Sequence, residues 1–258
     1  MVRNFNKNLQ VGHTGNGVDA GSVAAARSEI AFTLGLGKID AITEANGGGR
    51  ENVRLLSWNS DIDIPLPAPS QDDPEILTRQ VKLFARMAGA DLVGICKIDR
   101  KWIYAESQRN PNRHETPQLK KIVFRNVELP SETDKELIIP EDVQYAIVMG
   151  FAHNRQMIQT SPSMIASAAV NLGYSRMGIG AVSLAEYIRL EGYTALPSKN
   201  DLGLSVPMAV DAGFGEVGRH GVVITPEFGP NIRLAKVFTN MPLVRDKPIQ
   251  FGVDEFCK

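Results

Sequence analysis

An α+β domain built on a mostly antiparallel sheet is the fold class that this 258-residue sequence predicts. Three observations carry that expectation. DLVGICKI and YAIVMGFA read as buried strands; amphipathic or small-residue tracts read as helices; and the order of these segments lacks the strand–helix–strand rhythm of a parallel sheet.

Taken in order, residues 1 to 55 hold glycine-rich loops, GHTGNGVDAG and ANGGGREN, around a short helical stretch, GSVAAARSEIAFTLG. PLPAPSQDDP, residues 65 to 74, is a proline-rich connector that ends in a helix start, with Asp73 placed to cap and Pro74 at the first helical position. Leu77, Val81, Phe84, Ala85 and Ala88 then fall on one helical face, and Gly89 supplies the stop. Residues 105 to 140 are polar and proline-punctuated around one short apolar piece, IVF, and read as a long surface insertion. Ser163 to Gly192 is a helical tract rich in Ala, Gly and Ser, small residues that let another surface come close. SVPMAVDA reads as a short helix, and HGVVITPEFGPNIRLAKVFTN as two strands of a hairpin turning at Glu227 to Asn231.

Composition narrows the function classes. Basic and acidic residues nearly balance, 28 against 29, which argues against nucleic acid or an anionic membrane as the main partner. No apolar run approaches the roughly 18 residues of a spanning helix, and MVRNFNKNLQ lacks the apolar stretch of a signal peptide. Two cysteines, Cys96 and Cys257, without a CxxC partner, give no zinc site within the chain. Cys96 lies in an apolar strand and reads as a small hydrophobe. The histidines, His13, His114, His153 and His220, are scattered without HxxxH or HExxH spacing, and read as surface or second-rank residues. Trp58 and Trp102 read as core or ligand-pocket residues. Gly213-Phe214-Gly215-Glu216-Val217-Gly218 is a literal GxGxxG, but a helix-like segment precedes it and a strand-like one follows, the reverse of a dinucleotide site. A tight turn explains these glycines at least as well.

LFARMAGADLVGICKIDRKWIYAE, ELIIPEDVQYAIVMGF, YSRMGIG and ITPEFGPNIRLAKVFTNMPLVRDKPIQFGVDEFC together resemble the corrinoid-dependent reductive dehalogenases of organohalide-respiring bacteria, over roughly residues 75 to 258. The resemblance implies a nitroreductase-like α+β core that holds a cobalamin or related corrinoid. It also implies that Cys257 is the first thiolate of a ferredoxin-like module with two [4Fe–4S] clusters, the rest of which would lie beyond Lys258. On that expectation 1–74 is a leading region and linker, 75–250 the corrinoid-binding catalytic core and 251–258 the truncated start of the ferredoxin-like module, so that the chain is part of a longer enzyme. The first 70 residues match the family only loosely, without the twin-arginine export signal of its respiratory members.

The implied reaction replaces carbon–halogen by carbon–hydrogen. Tyr174 matches the family's proton donor, Arg233 the arginine beside it, and Asn200 the polar residue that helps hold the substrate. Taken singly, such a tyrosine packs, such an arginine faces water and such an asparagine turns the chain. Their joint occurrence in family order, 26 and 33 residues apart, gives them the functional reading. A free phenol, with a pKa near ~10, is a slow acid, so a guanidinium that stabilises phenolate eases the transfer. Gly213, Gly215, Gly218, Phe228 and Gly229 are the expected corrinoid neighbours, ranked below the catalytic trio. The family implies an organohalide substrate, an electron donor acting through iron–sulfur clusters, a membrane-anchor subunit, and a place on the outer face of the cytoplasmic membrane. Two alternatives are a corrinoid-dependent reductase of another substrate, as in epoxyqueuosine reduction, and a corrinoid-binding module without activity.

Overall fold

The structure is a computed structural model, and it describes residues 68–109 and 118–257. The readings made for residues 1–67, with Trp58 and His13, and for His114 lie outside the described residues.

Helix α1 (Pro74–Met87) begins where the sequence places it. The carboxylate of Asp73 accepts the N–H of Glu75 at 2.7 Å, and Pro74 occupies the first turn, where a missing N–H costs nothing. Its apolar face, Leu77, Val81, Phe84 and Ala85, is buried, at about 1.5–3 kcal/mol for each large side chain. Gly89 ends it with φ +93°, a left-handed turn that a side chain would resist.

Four strands form the central sheet: β1 (Leu92–Lys97), β6 (Tyr145–Ala152), β7 (Ala195–Ser198) and β10 (Ile232–Thr239). Their order is β1-β6-β10-β7, antiparallel throughout, as expected of the fold class. Strands β6 and β10 are buried along almost their whole length, which explains the unbroken apolar run of β6, whereas β10 interrupts its apolar residues with Arg233 and Lys236. The short helix α2 (Arg155–Ile158) precedes the long α3 (Met164–Leu190), and α1 and α3 cover one face around Ile147, Met149, Phe151, Ala235 and Val237. Within that core the Phe84 and Tyr187 rings stack at 4.4 Å. The opposite face packs Ala146, Val148, Leu234 and Phe238 against α4 (Ser205–Asp211). Among the described residues no helix is long and apolar enough to cross a membrane.

One expectation gains detail and one needs correction. The described residues of the 105–140 insertion form a sheet of their own: β2 (Glu106–Arg109), β3 (Gln118–Arg125), β4 (Ser131–Glu132) and β5 (Glu136–Pro140), in the order β2-β3-β5-β4. Ile122, Leu137 and Ile139 pin this sheet into the second core. Strands β3 and β5 run parallel, a pairing that no adjacent turn announces. The hairpin expected at 220–240 does not exist as such. Strand β9 (Val223–Ile224) pairs with β8 (Glu216–Val217), while β10 pairs with β6 on one edge and β7 on the other. A strand whose two edges are taken has no hydrogen bonds left for its sequence neighbour. The turn itself does form, as a Thr225–Gly229 bridge with Gly229 at φ +60°.

After β10 the chain runs without regular structure across the domain. Thr78 Oγ1 accepts the N–H of Val244, and Asp246 takes the N–H of Ile95 and the ammonium of Lys82. The short helix α5 (Val253–Phe256) ends this strap, with Cys257 at its C-cap.

Candidate active site

Helix α3 carries Tyr174 to the sheet, and small residues decide how closely it lies. A Cβ on Gly173 would stand 2.9 Å from His153 Cε1 and 3.0 Å from Arg233 Cγ, and one on Gly180 would stand 2.7 Å from Phe151 Cζ. Glycine at these two positions, seven residues and two turns apart, lets side chains of β6, β10 and the residue after β6 press on the helix backbone. Rotation about the helix axis is fixed by Arg176. Its guanidinium donates to Ala152 O at 2.9 Å, Gly89 O at 2.8 Å and Asp91 Oδ2 at 2.9 Å. The same Asp91 oxygen accepts the Ala152 N–H, so one ion pair ties α3, the turn after α1 and the end of β6.

Arg233 lies opposite Phe151 in the ladder, on the α3 side of β10. Its Nη1 donates to Tyr174 Oη at 3.0 Å, and its guanidinium carbon stands 4.1 Å from the phenol ring centroid. Two of the three candidate catalytic residues therefore meet across 59 positions of sequence. The phenol oxygen accepts from Arg233, so its own hydrogen is left to point elsewhere. A fixed positive charge beside an oxygen that releases a proton stabilises the anion left behind. Arg233 Nε is buried without a hydrogen-bond partner among the described residues.

Asn200 is exposed on the loop after β7, and its amide makes no hydrogen bond among the described residues. The structure thus puts it near the pair's strand without joining it to the pair. Its neighbour Lys199 does reach the site, with Nζ 6.0 Å from the Tyr174 ring centroid. Burial lowers the pKa of Lys199, partly offset by the field of Asp201. The loop is rigidly built: Asp201 Oδ1 accepts Ser198 Oγ at 2.8 Å and the Lys199 N–H at 2.9 Å. Beneath it the fully buried Lys236 donates to Lys199 O at 2.6 Å, Gly203 O at 3.0 Å and Ser205 Oγ at 2.7 Å. Burial pulls the Lys236 pKa down to about 8, against the opposing field of Asp201.

His153 closes the site on the helix side. Its Nδ1 lies 3.3 Å from Ala169 O, and burial lowers its pKa, a shift that the Ala169 hydrogen bond opposes and the charges of Arg233 and Arg176 reinforce. Sequence reasoning assigned His153 no place here, and it passed over Arg176 and Lys199. Their only signal was adjacency, since Arg176 lies two positions past Tyr174 and Lys199 one before Asn200.

The glycine motif is tightly packed. Gly213 has φ +79°, and a Cβ there would stand 2.7 Å from Lys247 O. One on Gly218 would stand 2.6 Å from His220 Cε1, and one on Gly215 would run into Ile224 O. At these three the close approach is made by the chain's own atoms. Glu216 lies between them, and its Oε2 accepts the N–H groups of Phe251, Gly252 and Val253 at 2.7, 2.9 and 3.2 Å. Those bonds lower the Glu216 pKa and anchor the turn that leads to Cys257. A Cβ on Gly229, by contrast, would meet nothing within 4 Å, and the adjacent Phe228 is half-buried against the second core. Cys257 is half-buried and free; among the described residues no group of three His, Cys, Asp or Glu is placed to hold a metal. Cys96 is buried as a small hydrophobe, its thiol pushed up to about 12 by burial and by the charges of Asp211 and Asp246.

No protein-family model matches the chain. It is 52% identical over 197 residues to the tetrachloroethene reductive dehalogenase of Sulfurospirillum multivorans, covering 74% of this chain and 39% of that protein. To the tetrachloroethene reductive dehalogenase of Dehalobacter restrictus it is 40% identical over 223 residues, covering 79% of this chain and 40% of that one. The chain thus spans about two fifths of the length of the curated relatives it matches. Among solved structures, a catabolic reductive dehalogenase aligns with TM-score 0.61 at 22% identity, over 86% of this chain and 28% of its own. Another, whose structure suggests a mechanism for B12-dependent dehalogenation, aligns with TM-score 0.59 at 24% identity, over 75% of this chain and 26% of its own. These two likenesses speak to the fold alone, whereas the sequence identities speak to descent. Over the segment it spans, the chain belongs to the reductive dehalogenases.

Proposed function

We propose that this chain contributes the proton-delivering half of a corrinoid-dependent reductive dehalogenase, with Tyr174 as the acid and Arg233 as the charge that stabilises its conjugate base. The net reaction takes an organohalide, two electrons and one proton to the hydrogenated carbon and a halide ion. The carbon–halogen pair leaves with the halogen, and the new carbon–hydrogen bond takes its proton from Tyr174 and its electrons from the reduced cofactor. A corrinoid, when bound, supplies those electrons at cobalt.

The residues present fit such a group. Ser167, Asn171, Tyr174 and Gly178 follow one another along one face of α3, which passes from exposed at Ser167 to buried at Gly178. Small side chains therefore lead up to the phenol, where a broad flat ring needs room. Gly229 and Phe228 offer a second open edge. Asn200 lies on the loop that would orient the substrate. The single observation that carries this reading is the 3.0 Å hydrogen bond by which Arg233 holds the Tyr174 hydroxyl as acceptor. On the same reading Cys257 belongs to an iron–sulfur ligand set through which a donor delivers electrons, and the parent enzyme works with a membrane-anchor subunit on the outer face of the cytoplasmic membrane.

The experiment is reconstitution of the chain with cobalamin and a strong chemical reductant, reading cofactor binding by absorbance and halide release from a chlorinated ethene. Tyr174→Phe is expected to keep cobalamin binding and to lose turnover by roughly 100- to 10,000-fold, the usual worth of a positioned acid. Equal halide release by both proteins would remove Tyr174 from the reaction.

A further inference from the structure

Two cations converge on the Tyr174 ring, and no carboxylate among the described residues pairs with either. Elsewhere in the fold the cations of the interior are matched: Arg176 pairs with Asp91, Lys82 with Asp246 and Lys120 with Glu132, while Lys236, without an acid, has three oxygen acceptors. Arg233 and Lys199 have no such match among the described residues. Asp201 is the acid next to Lys199 in the loop, but its Oδ1 is taken up by Ser198 Oγ and the Lys199 backbone N–H. Among the described residues the Lys199 ammonium has no acceptor; it stands 6.0 Å from the ring centroid, with the Arg233 guanidinium carbon 4.1 Å from the same centroid. Arg233 Nε adds a buried N–H that no described atom accepts.

Such an arrangement is expensive when empty. A partly desolvated cation without a counter-charge loses hydration that nothing replaces, and a buried donor without an acceptor costs about as much as a lost hydrogen bond. Both deficits have the same remedy, a small anion that accepts N–H and O–H groups from several directions. The Tyr174 hydroxyl, whose oxygen already accepts from Arg233, has its hydrogen free to donate to the same anion.

We propose that Lys199 and Arg233 form a halide site, placed beside the acid so that it receives the ion expelled when the carbon–halogen bond breaks. This rests on the dehalogenase reading above and deepens it. No bond to the protein forms or breaks: the halogen departs with the bonding electron pair, and the two cations neutralise the charge that accumulates on it. Lys199 acquires a role by this, as the residue that separates a halide-retaining site from a merely acidic one.

The test uses the purified chain without cofactor. Chloride is titrated at constant ionic strength, and the chlorine-35 resonance width reports ions exchanging with a protein site. Saturable broadening is expected, displaced by bromide and iodide but not by sulfate, and weakened about tenfold in Lys199→Gln and in Arg233→Gln, the scale of one lost charge-assisted contact. Protection of buried Cys96 from a thiol reagent confirms that each variant is folded; should Arg233→Gln fail that check, Lys199→Gln decides alone. Broadening that is unchanged in Lys199→Gln, or that sulfate removes equally well, overturns the halide site. Displacement by benzoate but not bromide would also overturn it, giving the cations to an acidic substrate instead. If halide binds as expected and the cobalamin-loaded chain releases none from organohalides, the dehalogenase reading falls while the site stands. If the loaded chain turns over without any halide-specific broadening, only the site falls.

Discussion

Strand β10 carries two cations three residues apart, and their surroundings could hardly differ more. Lys236, on the α4 side, is sealed from water and has three oxygen acceptors within 3.0 Å, all of them in the loop from Lys199 to Ser205. Arg233, on the α3 side, meets one phenol oxygen and keeps a buried N–H unused. The first charge is consumed in shaping a loop. The second is held in place by the backbone and by the packing around Gly173, yet remains chemically unspent. Alternation along a strand makes this division natural, because positions three apart face opposite sides of the sheet. One side can then be a scaffold while the other stays available to a ligand.

If that contrast is sound, the two positions should respond to substitution in opposite ways. Lys236→Met fills the space but orphans three acceptors, so the domain should lose about 2–4 kcal/mol in urea unfolding. Amide exchange should quicken most at Lys199 and Leu204. A loss no larger than that of a surface lysine would show that the loop does not depend on this charge. Gly173→Ala should come next, at about 1–3 kcal/mol, because the added methyl meets the His153 ring and the Arg233 stem at 2.9 and 3.0 Å. Its diagnostic feature is that Arg233 is displaced, so proton delivery should weaken even where the variant is folded. Arg233→Met should cost stability least, under about 1 kcal/mol, since it removes one hydrogen bond together with one unsatisfied donor. The same variant should release halide from an organohalide at a small fraction of the parent rate. A large stability loss in Arg233→Met would make Arg233 a structural residue and erase the contrast.

Acidity gives a finer probe. The Lys236 pKa falls from its ordinary value of 10.5 to about 8 on folding, so between those values the unfolded chain holds the proton that the folded chain has lost. Stability from this group therefore rises as pH climbs through that window, and it is lost as pH falls through about 8. Cys96 works against it: its thiol is pushed from 9.0 up to about 12, so the unfolded chain ionises first and stability falls as pH climbs above 9. The difference between the parent and Lys236→Met cancels Cys96 and isolates the lysine. That difference in unfolding free energy should shift in favour of the parent by on the order of 1–3 kcal/mol from pH 8 to 10.5. A flat difference would mean that Lys236 is not desolvated as its surroundings imply.

Much of the frame was legible before any coordinates. Asp73, Pro74 and the run from Leu77 to Ala88 specify α1 through local capping and periodicity, and YAIVMGFA marks β6 to the residue because a strand buried on both faces has no polar positions to interrupt it. The sheet within the 105–140 insertion is not legible in the sequence, because its strands find partners that are not sequence neighbours and because its charges mask the alternation of Ile122, Leu137 and Ile139. The hairpin expected at 220–240 failed for a related reason: local turn chemistry is real at Thr225–Gly229, but which strand takes an edge is settled by competition across the whole sheet. In the site, family order pointed to Tyr174 and Arg233, and they do meet; Lys199, Arg176 and His153 carried no motif of their own.

By itself the sequence determined the α+β class, the start and stop of α1, the two buried strands and the long small-residue helix, because each of these follows from contacts within a few turns of chain. Only the tertiary structure decided that Glu216 of the glycine motif serves the turn before Cys257, that Arg176 sets the rotation of α3, and that two unneutralised cations face one phenol. Such pairings join residues tens of positions apart, and electrostatics at a few ångströms depends on distances that no local pattern encodes.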